Sequence, residues 1–304
     1  MLRLLAASTL LAAAGCAGGS AAPAAQEVTP GVFVPTSAPT TPSGWPDGTV
    51  LKGTVTIPAG QTITLAKGAH LTASKGAQVV VLGTLLAPAG GTFGGRDWKG
   101  ITVGKGGTAT LQGVSLDGAG LAAEAGAKAV SLTSGTITKA SQPLNAAAGS
   151  TLTLTDVKVT SVQGVSVVKG ALRATRLSYD KGSESGMVIS GAASSLTLTD
   201  SHLFGNGLFE SDMVITSDAG DVTIVGTEID RVHCALHVVG VHRLTVTGSS
   251  LHDDAYGLMA YGSDPGQVHR ITDTDVYDNR DFGLQESPGV TQGQVLDEWL
   301  GRRR

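Results

Sequence analysis

Aromatic residues are scarce in this chain, at 4% of 304 residues, and so are charged ones, at 15%. With so few rings, the core has to be built from Val, Leu, Ile and Ala, within a hydrophobic fraction of 41%. The low charge argues against a helical protein, which ordinarily carries more Glu, Lys and Arg. Only two cysteines are present, Cys16 and Cys234, which excludes a disulfide framework. No apolar run approaches the roughly 20 residues that a membrane-spanning helix needs. Net charge is −4, without the basic excess expected of a nucleic-acid partner. Neither a phosphate-binding loop nor a nucleophile elbow is found.

Lysine is missing altogether after Lys181. Residues 1–199 carry a net charge of +6 and residues 200–304 one of −10, and six of the seven histidines lie at or after His202. The polar chemistry therefore changes along the chain. A solvated acidic face accounts for the excess of carboxylates in the simplest way.

What the chain has in abundance is glycine, 43 residues of it, between short β-branched bursts. TVTI, TITL, VVVL, TLTLTDVKV, DVTIVG and LTVTG are each bounded by Gly, Ser, Asp or Asn, which are strand and turn signals. The bursts recur. Ile101, Leu121, Leu144, Val165, Met187, Met213, Leu236, Leu258 and Leu284 are spaced by 20 to 26 residues, and each unit holds two or three strands. A period in the low twenties marks a β-solenoid. One circuit makes one rung, paired with the rungs above and below at about 4.8 Å, with alternate residues pointing into a shared core.

Trp98-Lys99-Gly100-Ile101-Thr102-Val103 and the rung-closing LTVTGSSLHDDAYGL resemble the right-handed parallel β-helix proteins of the pectin-lyase-like superfamily. The segment IPAGQTITLAKGAHLTASKGAQVVVLGTLLAPAG resembles their entry rungs. The likeness implies an all-β right-handed parallel β-helix of about ten rungs over residues 49–293. It implies little about function, because that scaffold carries enzymes, adhesins and spacers alike.

The N-terminus begins MLRLLAASTLLAAAGCAGGS. Arg3 followed by Leu4 to Ala14 makes a secretory signal. Ala13-Ala14-Gly15-Cys16 resembles the lipobox of bacterial lipoproteins, with Ala13 where that family usually has Leu. The resemblance implies removal of residues 1–15 and lipidation of Cys16, with acyl chains holding the protein on a membrane surface. Residues 16–48, rich in Ala, Pro, Ser, Thr and Gly, read as a flexible tether. QVLDEWLGRRR, residues 294–304, reads as a cap or tail. Cys234 opens the apolar run CALHVV and reads as a small buried hydrophobe.

Stacking the last four rungs by their period puts His202, Glu228, Ser250 and Asp275 in one file. The core file beside it is Leu203, Ile229, Leu251 and Val276, and the next is Phe204, Asp230, His252 and Tyr277. One corner thus gathers Asp230, Arg231, His252, Asp253, Asp254, Tyr277, Asp278 and Arg280. Three readings stay open. Asp, Asn and Gly are ordinary residues of sharp turns. Carboxylates, histidine, arginine and the rings of Tyr256, Tyr261, Tyr277 and Phe282 suit a polysaccharide, bound or cleaved, with His252, Asp253 and Asp254 as the candidate catalytic groups. Asp230, Asp253, Asp254 and Asp278 are oxygen donors of the kind Ca²⁺ takes. The Asp253-Asp254 pair is similar to the paired aspartates of polygalacturonase-like members. Their flanking Gly and Cys are missing, however, as are the Asn-Thr-Asp, Gly-His-Gly and Arg-Ile-Lys clusters, so no catalytic role carries over.

The combined expectation is a lipid-anchored cell-envelope protein whose β-helix is a non-catalytic scaffold, binding polysaccharide or a surface partner. A polysaccharide lyase or glycosidase, and a plain spacer or adhesin, are the alternatives. No cofactor is expected beyond calcium.

Overall fold

The computed structural model describes residues 27–28, 43–261 and 268–286. Cys16, the leader, most of the tether and the 294–304 tail lie outside them. Among the described residues every regular element is a strand, and every strand pairing is parallel. The chain winds as a β-solenoid of about ten turns with three faces. The first face is a twelve-stranded sheet that includes Ala69–Ala73, Val114–Asp117, His202–Phe204 and Asp275–Tyr277. The second includes Ile101–Val103, Leu121–Ala123 and Met187–Ser190, and the third includes Thr108–Gln112, Thr151–Thr155 and Ser195–Thr199. Val214–Val225 and Cys234–Thr247 run through the corner between the second and third faces and join them into one sheet.

The alternation in the sequence is the alternation of burial. In Thr151–Thr155 both leucines are buried and the threonines outward, and Ala69–Ala73 likewise alternates buried and exposed residues. The interior is Leu, Val, Ile and Ala, stacked rung on rung. Each fully buried Leu or Ile stabilises the fold by about 1.5–3 kcal/mol. The scarce rings fill the N-terminal end: Phe93 stacks on Trp98 at 6.2 Å and meets the edge of Trp45 at 6.2 Å. Trp45 belongs to Ser43–Trp45, which pairs with Ile63–Leu65, so strand pairing begins upstream of the expected boundary at Thr49.

Two members of the repeat file stand one residue away from their expected places. Leu144 is followed in its file by Ser166 rather than Val165, and Met187 by Val214 rather than Met213. Apolarity misled at both positions. Ser166 is fully buried because its Oγ bonds the Tyr179 hydroxyl at 2.9 Å, and Met213 is buried beside the file rather than in it.

The corner from the third face to the first shows why the turns read as they do. Gly113, Ser134, Asp156, Arg176, Asp200, Gly226, Gly248 and Asp273 occupy equivalent places, all with φ between 48° and 66°. Each rung enters the left-handed region at this corner, where Gly is free and Asp is tolerated. The amide of Asp200 pairs with Val225 O and that of Gly226 with Thr247 O, so the ladder runs on through the turn. Gly248 has φ +59° and open space around it. Gly248→Ala should therefore cost about 1 kcal/mol through backbone strain alone, and Gly248→Asp less, as urea denaturation midpoints would show.

Candidate functional site

The three expected files on the first face are present in register. His202, Glu228, Ser250 and Asp275 are successive partners, as are Phe204, Asp230, His252 and Tyr277, with Leu203, Ile229, Leu251 and Val276 between them. Because a strand alternates its side chains, the first and third residues of each strand face outward while the middle one enters the core.

On this surface the groups link across turns. His202 Nε2 lies 3.0 Å from Asp230 Oδ1 and 3.9 Å from Glu228 Oε2. His252 Nε2 lies 3.0 Å from Glu228 Oε1, and its Nδ1 lies 2.8 Å from Asp253 Oδ2. Burial works to deprotonate His252, but the hydrogen bonds to Asp253 and Glu228 outweigh it and raise its pKa. Arg231 Nε donates to Asp230 Oδ2 at 2.9 Å, and its guanidinium caps the Phe204 ring at 5.1 Å. Tyr277, 47% exposed, stacks on the His252 ring at 4.7 Å, and His202 lies on Phe204 at 4.7 Å.

The turn residues have other roles. Arg231, Asp253 and Asp278 have φ of 57°, 55° and 52°, so they are the left-handed residues of this corner. Arg280 pairs with the neighbouring Asp281 and caps Phe209 at 4.7 Å. Asp254 is fully buried: Oδ1 accepts from the Val232 amide at 2.9 Å, while Oδ2 has no hydrogen-bond partner. Burial, reinforced by Asp230 and Asp253, pushes its pKa up to about 8. Asp254 therefore cannot touch a ligand from this position. Among the described residues, the ligand set that converges within 4.8 Å is His202, Glu228 and Asp230, and Asp253, Asp254 and Asp278 are not in it.

The rings named from the sequence do not form one row. Tyr277 lies on the first face, whereas Tyr256 and Phe282 are partners on the second. Tyr256 packs edge-on against His233 at 5.3 Å. The side chains of Tyr261 and Phe282 lie outside the description.

Next to this corner is a cluster that sequence reasoning does not assemble. Asp212 holds His233 Nδ1 at 2.7 Å through one oxygen and His237 Nδ1 at 2.6 Å through the other. Lys181 is buried nearby, its Nζ donating to Glu184 O and Ser211 Oγ. Burial pulls the Lys181 pKa down, and the charge of Asp212 is the largest effect opposing it. Cys234 is buried, with Sγ 3.2 Å from Leu236 O, and burial raises its pKa, so it is an inert thiol.

Comparison with protein-family models, curated proteins and solved structures returns no match. The solenoid and its surface chemistry are thus the whole basis for a functional reading.

A cleft of about 950 Å³ opens several turns upstream, on the same corner between the first and second faces. Gln78, Thr102, Asn145, Asp117, Glu124 and Lys139 are among its lining residues. A hydrogen bond from Thr138, then Lys139, lowers the Asp117 pKa despite partial burial, so this carboxylate stays ionised. His202, Glu228 and Phe204 stand in the same outward files as the residues named from the sequence, and alternation alone was enough to find them. Nothing in the local sequence marks Asp212 or the cleft.

Proposed function

We propose that the protein is a cell-envelope scaffold, tethered to a membrane by lipidated Cys16, whose solenoid binds a polysaccharide on the C-terminal part of its first face. One observation carries the reading. Phe204 and Tyr277 sit in a single outward file with Asp230 and His252 between them, and their rings are braced by His202, Arg231 and His252. A flat file of braced rings and hydrogen-bonding groups, repeating at the strand spacing of about 4.8 Å, suits an extended chain of sugars. The amide and hydroxyl groups of the upstream cleft lie on the adjoining corner and offer further polar contacts.

The alternative of a lyase or glycosidase at this corner has weaker support. Asp254 has the raised pKa of a general acid, but it is sealed from solvent. His252 is nearly covered and engaged on both nitrogens.

Affinity electrophoresis of the chain in gels containing neutral or uronic-acid polysaccharides tests the proposal. Retardation by at least one polymer is expected, weakened about tenfold or more in Phe204→Ala/Tyr277→Ala, since aromatic anchors dominate binding energies. Mobility unchanged across the panel would sink the binding reading. Release of reducing or unsaturated ends, abolished in His252→Gln, would replace it with the enzyme.

A further inference from the structure

We propose that His202, Glu228 and Asp230 form a binding site for a divalent transition-metal ion such as Zn²⁺, a second function that shares His202 and Asp230 with the proposed polysaccharide surface. His202 Nε2 is 3.0 Å from Asp230 Oδ1 and 3.9 Å from Glu228 Oε2, and the three donor atoms all fall within 4.8 Å of one another. Ligands held about 2.05 Å from a tetrahedral ion lie about 3.3 Å apart. The observed distances bracket that value, so small side-chain adjustments suffice. The imidazole selects the metal: Ca²⁺ and Mg²⁺ take oxygen donors, whereas one imidazole with two carboxylates suits Zn²⁺ or Co²⁺.

The supporting contacts favour the same assignment. Each carboxylate is held through the oxygen that does not face His202. Glu228 Oε1 is bound by His252 Nε2 at 3.0 Å, and His252 is in turn held by Asp253 at 2.8 Å. Asp230 Oδ2 is bound by Arg231 Nε at 2.9 Å. Glu228 Oε2 and Asp230 Oδ1 remain directed to His202. Outer groups that orient the ligands in this way are a regular part of metal sites. The charges also agree: Glu228, Asp230 and Asp253 against Arg231 leave two negative charges, which a divalent ion cancels. His202 and Glu228 are roughly half exposed, with side chains 40% and 47% accessible. The remaining coordination positions therefore face solvent. The ion would join adjacent turns of the solenoid.

The Asp212 cluster is the contrasting case. Its two histidines turn the same nitrogen, Nδ1, toward one carboxylate, a closed hydrogen-bonded set rather than three converging ligands.

The test is titration of the full chain, freed of metal with a chelator, by Zn²⁺ and Co²⁺ in a calorimeter, with Ca²⁺ as the comparison. One Zn²⁺ per chain is expected, no comparable response to Ca²⁺, and visible absorption from bound Co²⁺. His202→Ala and Asp230→Asn should each weaken Zn²⁺ binding at least about tenfold, and His252→Gln about tenfold through loss of orientation. His233→Ala/His237→Ala should leave it unchanged. Glu228→Gln, at an exposed position, serves if another variant fails to fold by circular dichroism. No saturable Zn²⁺ binding, or binding equal in His202→Ala and the parent, would overturn the site. Loss confined to the His233→Ala/His237→Ala variant would do the same. Polysaccharide retention unaffected by chelator, alongside Zn²⁺ binding, would show that the shared surface holds polysaccharide without the ion.

Discussion

At pH 8 and in the presence of chelator, Asp254→Asn should be more stable than the parent chain by on the order of 3–5 kcal/mol, and at pH 4 the two should be nearly equal. The buried carboxyl keeps its proton up to about pH 8, whereas in the unfolded chain it ionises near pH 3.9. Between those values the folded state binds more protons than the unfolded one, so stability falls as pH rises. Asparagine removes that dependence and has a precedent one turn away. Asn279 holds the equivalent place in the next turn, its Oδ1 accepting from the Asp254 amide and its Nδ2 donating to Leu251 O. An asparagine at 254 should bond the Val232 amide likewise and give the unpartnered oxygen position a donor. Urea denaturation of both proteins at pH 4.5, 6 and 8 measures the effect. Parallel stability profiles would show that Asp254 does not carry the pH dependence.

Asp212→Ala is the other large expected loss, about 3 kcal/mol. One nearly buried carboxylate bonds two imidazoles and provides the strongest counter-charge to the buried Lys181. Its removal takes a hydrogen bond from both imidazoles and the main counter-charge from Lys181 at once. Asp221→Ala is the matched control. Asp221 also meets a histidine and an arginine, but at 3.4 and 3.8 Å and in the open, where ion pairs contribute little. Denaturation midpoints should move strongly for the first variant and barely for the second. Equal shifts would mean that the Asp212 cluster contributes no more than a surface pair.

Much of the solenoid was legible without coordinates. Strict alternation in segments such as TLTLTDVKV forces half the side chains to one side, and a period in the low twenties leaves stacking as the way to bury them. That was enough to place His202 beside Glu228, Phe204 beside Asp230, and His252 beside Tyr277. It failed at Ser166 and Val214, where a serine satisfied by Tyr179 enters the core and where a loop adds a residue. It also passed over a repeating pair. Asp200-Ser201, Gly226-Thr227, Gly248-Ser249 and Asp273-Thr274 each join a left-handed residue to a hydroxyl that bonds the carbonyl two residues back.

The sequence by itself determined the strands, a stacked circuit of two or three strands, the alternation of buried and outward residues and the files of the candidate site, because these follow from local periodicity and turn chemistry. Only the tertiary structure decided which charged groups are sealed and which are open. Asp253 and Asp254 are neighbours in the chain, yet the first is a turn residue bonded to His252 and the second is buried beneath the Val232 amide. Asp212 meets His233 and His237 across 21 and 25 residues. Burial and cross-turn distance set pKa values and ligand geometry, and both depend on how the corner loops lie over their neighbours, which no local pattern encodes.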